Sequence, residues 1–178
     1  MYRTATRMAL LSKIVYDNYD SINSKLLKLG IKDWFWFDNE GTQAILIKTD
    51  KELIICFRGT EPTQFSDIAA DLKAWKSKSK TDGSVHDGFY DEIEKVWSAI
   101  VPLLSKTKPL FITGHSLGGA MATIAASRLE NQTECLYTFG SPRVGDAQFA
   151  SYFDERITDS IRYVNDNDPI PCVPTRWR

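Results

Sequence analysis

The stretch Phe111-Ile112-Thr113-Gly114-His115-Ser116-Leu117-Gly118-Gly119-Ala120 restricts the fold more than any other part of the chain. An apolar run ends in Gly-x-Ser-x-Gly and passes at once into small residues that suit a helix. Glycines on both sides of a serine permit a sharp strand-to-helix turn, where side chains would collide with backbone across the bend. Such an elbow demands a buried strand before it and a helix behind it. It also sets Ser116 at a helix N-terminus, where backbone N–H groups and the helix dipole favour developing negative charge. The Leu117 N–H, next after the serine, is placed to be one oxyanion donor. A chance match in a tight turn is the rival reading, and the flanking strand and alanine-rich helix speak against it.

The rest of the chain supplies layers to hold that turn. Ala9, Leu10, Lys13, Ile14 and Asp17 read as an amphipathic helix. Strand-like runs at 34–37, 43–49 and 52–57 are linked by Asp38-Asn39-Glu40-Gly41 and Asp50-Lys51, which predicts antiparallel hairpins. Beyond Arg58 the rhythm alternates. Phe89, Ile93, Val96, Trp97, Ile100 and Leu104 follow helical spacing. Strands are expected at 110–113, 135–139 and 161–164, with helices at 120–129 and 147–153. Strands separated by helices imply right-handed crossovers. The fold class is therefore α/β, a mostly parallel central sheet with antiparallel N-terminal strands and helices on both faces. With no repeat or linker to divide it, residues 1–178 read as a single domain. Ligand chemistry in such a sheet belongs at the carboxyl ends of the strands.

Charge and cysteine content narrow the partners. A net charge of -1 gives no field that points to nucleic acid or anionic membranes. The N-terminus is basic and then only briefly apolar, with no small-residue cleavage site, so no signal peptide is evident. A cytoplasmic location, or release by a route without a signal peptide, is expected. Cys56, Cys135 and Cys172 make an odd count, and two lie in expected buried strands, which suits reduced thiols. Neither a CxxC pair nor a mixed Cys/His cluster is present, so no metal is expected.

Two further strand ends carry chemistry. Ile54-Ile55-Cys56-Phe57-Arg58-Gly59-Thr60 ends at a glycine that lets backbone approach a substrate, and the Thr60 N–H or hydroxyl can be the second oxyanion donor. Taken alone, it reads as an ordinary strand exit with Arg58 solvated or paired. Tyr163-Val164-Asn165-Asp166-Asn167-Asp168-Pro169-Ile170-Pro171 ends a strand in carboxylates, and an acid after the serine suits the residue that orients a base. It is also plain turn composition.

Taken together, these blocks resemble a known family. Phe57-Arg58-Gly59-Thr60, Val85-His86-Asp87-Gly88-Phe89, Gly114 through Ala120, Thr138-Phe139-Gly140-Ser141-Pro142-Arg143-Val144-Gly145, and Val164-Asn165 with Asp168-Pro169 and Pro171 occur in the order seen in class 3 lipases. These are the fungal-type triacylglycerol lipases and their bacterial and phage relatives, of the α/β-hydrolase superfamily. The likeness runs from about Ala9 to Pro174. It implies Ser116 as nucleophile, Asp168 rather than Asp166 as triad acid, Thr60 and Leu117 as oxyanion hole, and a lid just after Thr60. Phe65, Ile68, Leu72 and Trp75 recur there at helical spacing behind Thr63 or Ser66 as caps. That helix either opens at a lipid interface or stays docked on the core. Lys73, Lys76, Lys78 and Lys80 follow on an expected loop, solvated or helping at anionic surfaces.

The resemblance implies a serine carboxylic-ester hydrolase acting on acylglycerols or other lipid-like esters, without metal or organic cofactor. A phospholipase or thioesterase is the related alternative, and a non-catalytic lipid- or partner-binding module the different one. The family's catalytic histidine follows its acid, whereas the histidines here are His86 and His115, both earlier. His115 is expected to point away from the serine as a structural residue. His86 opens a crossover helix at the same sheet edge and borders the site. A chain shortened at its C-terminal end is the favoured expectation, ahead of a fragment completed by another polypeptide or a pseudoenzyme.

Overall fold

The computed structural model describes residues 4–60 and 76–174. Two helices, α1 (Thr4–Ile14) and α2 (Tyr19–Lys28), precede the sheet. Strands β1 (Trp34–Asn39), β2 (Thr42–Lys48) and β3 (Leu53–Phe57) then form an antiparallel meander. At its first turn Glu40 and Gly41 both have positive φ, 48° and 82°, the twist that suits a two-residue hairpin. A short hairpin of β4 (Lys76–Lys78) and β5 (Ser84–His86) leads into α3 (Asp87–Ile100). Strand β6 (Leu110–His115), helix α4 (Leu117–Arg128), strand β7 (Thr133–Phe139), helix α5 (Ala147–Arg156) and strand β8 (Ser160–Tyr163) complete the alternation. The sheet order is β1-β2-β3-β6-β7-β8, and β3, β6, β7 and β8 run parallel. The expected α/β architecture is present, antiparallel start included.

Alternate residues of each strand serve opposite layers. Leu53, Ile55, Phe57, Leu110, Ile112 and Leu136 pack beneath α3, α4 and α5. Ile45, Ile47, Ile54, Cys56 and Cys135 pack against Met8, Leu11, Ile22 and Leu26 of α1 and α2. This period-two burial on both faces explains the near-continuous apolar runs in the inner strands. Burial pushes the Cys56 thiol up to about 12, so it behaves as a small hydrophobe.

Two polar contacts fix helices to this frame. The Ser12 and Thr113 hydroxyls, both buried, bond at 2.9 Å and join α1 to β6. Thr113→Val is expected to leave the Ser12 hydroxyl with only the weakly bonding Cys56 thiol and to cost about 1 kcal/mol in urea denaturation. Adding Ser12→Ala is expected to recover most of that loss, since an apolar pair leaves no orphan. On the other side, the Arg128 guanidinium lies 5.3 Å from the Tyr90 ring centre and 4.9 Å from that of Trp97, and pairs with Glu94 at 2.6 Å. That cluster ties α4, the helix behind the elbow, to α3.

Several expectations need correction. Helix α2 was not anticipated, because only Ile22 and Leu26 of its ten residues are buried. Lys76 and Lys78 lie on β4 rather than on a loop, their side chains outward and paired across Asp82-Gly83 with β5. Helix α3 stops at Ile100, because Pro102 draws the next residues into a 3-10 turn and leaves Leu104 outside. The last strand starts and ends one residue early, so Val164 lies beyond it. The lid residues Phe65, Ile68, Leu72 and Trp75 lie outside the described residues.

Candidate active site

Register brings the singled-out strand ends to one edge. Phe57 pairs with Gly114, His115 with Phe139, and Phe139 with Tyr163, so all four exits leave the sheet side by side. Ser116 takes φ 59° and ψ -126°, a conformation in which an L-residue is strained. The frame holds it there. Its N–H donates to Phe139 O at 2.9 Å, and its carbonyl accepts from Gly119 N at 2.8 Å and Ala120 N at 3.2 Å. The bend is too tight for side chains. A Cβ on Gly114 would fall 2.2 Å from Gly118 O, and one on Gly118 would fall 2.3 Å from Phe57 O. Ser116 is 1% exposed, and among the described residues its Oγ has no hydrogen-bond partner.

The β3 exit runs against this elbow. A Cβ on Gly59 would stand 3.3 Å from Ser116 Cβ and 2.4 Å from both His115 O and the Tyr16 hydroxyl. Thr60 follows, half-buried, and Leu117 is the first residue of α4, where the N–H has no acceptor one turn back. The serine is thus followed by a helix-start N–H on Leu117 and packed against the β3 exit that leads to Thr60.

The acid loop folds back over the β7 exit. Asp168 N donates to Asn165 O at 3.0 Å, and Asp168 Oδ1 accepts from Ile170 N at 3.0 Å. Its Oδ2 lies 2.8 Å from where a Cβ on Gly140 would be, next to the residue whose carbonyl holds Ser116 N. Gly140, at φ 56°, makes room for it. Asp166 is exposed, whereas Asp168 is partly buried. Arg162 braces the loop from below by donating to Ser141 O at 2.8 Å and Pro171 O at 2.9 Å.

Neither histidine bonds the serine. His115 Nδ1 is 2.8 Å from the Tyr16 hydroxyl, and the two rings meet edge-on at 5.8 Å. Burial lowers its pKa from 6.5 while the Asp168 charge pushes the other way. His86 caps α3, its Nδ1 accepting from Gly88 N at 3.2 Å and its ring packed on Phe89 at 4.5 Å. Tyr16 and Ser12 are site-supporting residues that sequence reasoning missed. For Ser12 a signal was present, since it shares a helical face with buried Met8, but its partner lies far along the chain, and Tyr16, past the end of α1, left none. Among the described residues no group of three His, Cys, Asp or Glu is placed to hold a metal ion.

Comparison with known proteins gives a consistent result. The family model described as Lipase (class 3) matches residues 54–177. A secreted mono- and diacylglycerol lipase of Fusarium solani is 41% identical over 98 residues, which is 51% of this chain and 29% of that protein. A Caenorhabditis elegans lipase is 32% identical over 139 residues, 70% of this chain and 38% of its own length. The chain thus spans less than two fifths of either relative. A solved triacylglycerol lipase, described as having a catalytic centre formed by a serine protease triad, superposes with a TM-score of 0.77 at 26% identity, covering 96% of this chain and 73% of that one.

Proposed function

Because the chain belongs to the class 3 lipase family, we propose that it carries the nucleophile, acid and oxyanion hole of a serine carboxylic-ester hydrolase. The observation that carries this reading is the Ser116 hydroxyl, buried at a helix N-terminus on a strained backbone and without a partner among the described residues. A hydroxyl kept in that state has nothing to do for the fold. Ser116 Oγ attacks the ester carbonyl, and the Thr60 and Leu117 N–H groups stabilise the negative charge as it forms. The alcohol then leaves, and water cleaves the acyl-enzyme. Asp168 orients the imidazolium that forms when a base takes the serine proton.

In this arrangement that base is neither His86, which caps a helix, nor His115, which is held by Tyr16. The relatives' names favour acylglycerols, and medium or short acyl esters are the practical probes. The test is hydrolysis of p-nitrophenyl butyrate and labelling by a fluorophosphonate, each with and without added imidazole. Measured above a protein-free blank that removes imidazole's own attack on the ester, added imidazole is expected to raise both rates, and Ser116→Ala to abolish the increase. An increase above that blank that survives in Ser116→Ala would overturn Ser116 as nucleophile. No increase in the wild type would leave the non-catalytic lipid-binding alternative. Tributyrin against butyryl-coenzyme A then separates lipase from thioesterase.

A further inference from the structure

The histidine of the elbow takes no part in the steps above, yet its ring bonds Tyr16 beside the β3 exit and lies against Gly140 at the β7 exit, where Asp168 also comes close. We propose that His115 is a positioning residue that, as the Nε2–H tautomer, links the Tyr16 hydroxyl beside the β3 exit to the Asp168 carboxylate over Gly140. Its Nδ1 lies 2.8 Å from the Tyr16 hydroxyl. Its other edge faces the acid loop. The point where a Cβ on Gly140 would sit is 3.6 Å from His115 Nε2 and Cδ2 and 2.8 Å from Asp168 Oδ2, so imidazole and carboxylate share one backbone platform.

The tautomer follows from charge. A neutral imidazole has one N–H and one lone pair, and a carboxylate only accepts. An N–H turned toward Asp168 is favoured over a lone pair turned toward it. That leaves the Nδ1 lone pair for Tyr16, whose hydroxyl donates. Among the described residues, the charged and titratable groups near the ring are Tyr16 just after α1, Arg58 at the β3 exit and Asp168 in the acid loop. Arg58 lies 5.5 Å from the Tyr16 ring centre. Burial keeps the ring neutral near pH 7, and the carboxylate limits how far its pKa falls.

His115 therefore sets the distance between the acid loop and the oxyanion strand. The inference rests on the proposed role of Asp168 only for its catalytic consequence, because the link itself is read without turnover. The experiment is ¹⁵N and ¹H NMR of the two imidazoles across pH, with His86→Gln to assign His115. The expected result is a protonated Nε2, an unprotonated Nδ1 and a pKa below 6.5. Asp168→Asn is expected to lower that pKa further, since the carboxylate is what raises it, and Tyr16→Phe to move the Nδ1 resonance. His115→Phe is expected to shift the Asp168 carboxyl ¹³C resonance, and His115→Gln, which keeps an N–H donor, to restore most of it. An Nδ1–H tautomer, or a His115 titration unmoved by Asp168→Asn, would overturn the link. A merely space-filling histidine would show neither dependence. If the Ser116 chemistry failed instead, these spectra would be unchanged.

Discussion

Gly118→Ala is expected to destabilise the protein by about 3 kcal/mol or more and to abolish fluorophosphonate labelling at neutral pH. The added Cβ would lie 2.3 Å from Phe57 O and 2.9 Å from Phe57 C and Arg58 C, all backbone atoms. Neither side can yield cheaply. Phe57 is held in register with Ala44 on one side and Gly114 on the other, and Gly118 lies in the first turn of α4. Relief must come from pulling the helix off the β3 exit, which moves the Leu117 N–H away from Thr60 and would open the proposed oxyanion pair. Gly88→Ala is the control. Its Cβ would meet only His86 side-chain atoms at 3.4 Å, ordinary contact, inside α3. There alanine is expected to be neutral or to stabilise by up to about 1 kcal/mol through helix propensity. Urea midpoints of the two variants measure the contrast. Equal midpoints would mean that the elbow does not press on β3.

The same glycines explain what was legible in the sequence. Gly59, Gly114, Gly118 and Gly140 stand where backbone, hydroxyl or carboxylate approaches within 3 Å of a would-be Cβ, and their positions in the chain mark the strand exits. Strong apolar runs marked the inner strands, because Ile45, Ile54, Ile55 and Ile112 are buried whichever face they serve. The elbow at Ser116 and the neighbouring strand exits were legible for that reason, being fixed by local turns at the ends of such runs. Asp168 was separable from Asp166 only through the family resemblance, since both sit in one turn-rich stretch. Tyr16 was not legible at all. Its role comes from α1 crossing the sheet to meet His115, a contact that no local pattern encodes. Helix α2 and the β4–β5 hairpin were missed for a simpler reason. Each has too few buried positions to leave a period.

Ser116→Ala is expected to raise stability by about 1 kcal/mol while eliminating labelling and imidazole-stimulated hydrolysis. A buried hydroxyl without a partner costs roughly 1–3 kcal/mol of desolvation, and alanine removes that cost without enlarging the site much. The φ of 59° adds strain that alanine keeps but glycine relieves, on the order of 1–3 kcal/mol. Glycine also frees the unfolded chain, offsetting about 0.5–1 kcal/mol of the gain. Ser116→Gly is thus expected to melt at or above the temperature of Ser116→Ala, and both above the wild type. The order inverts the usual result for a buried site, where truncation leaves a cavity and loosens the fold. It follows only if the serine is held against its own preference. A Ser116→Ala variant less stable than wild type would mean that the hydroxyl is bonded in the folded protein, and the case for a waiting nucleophile would fall with it.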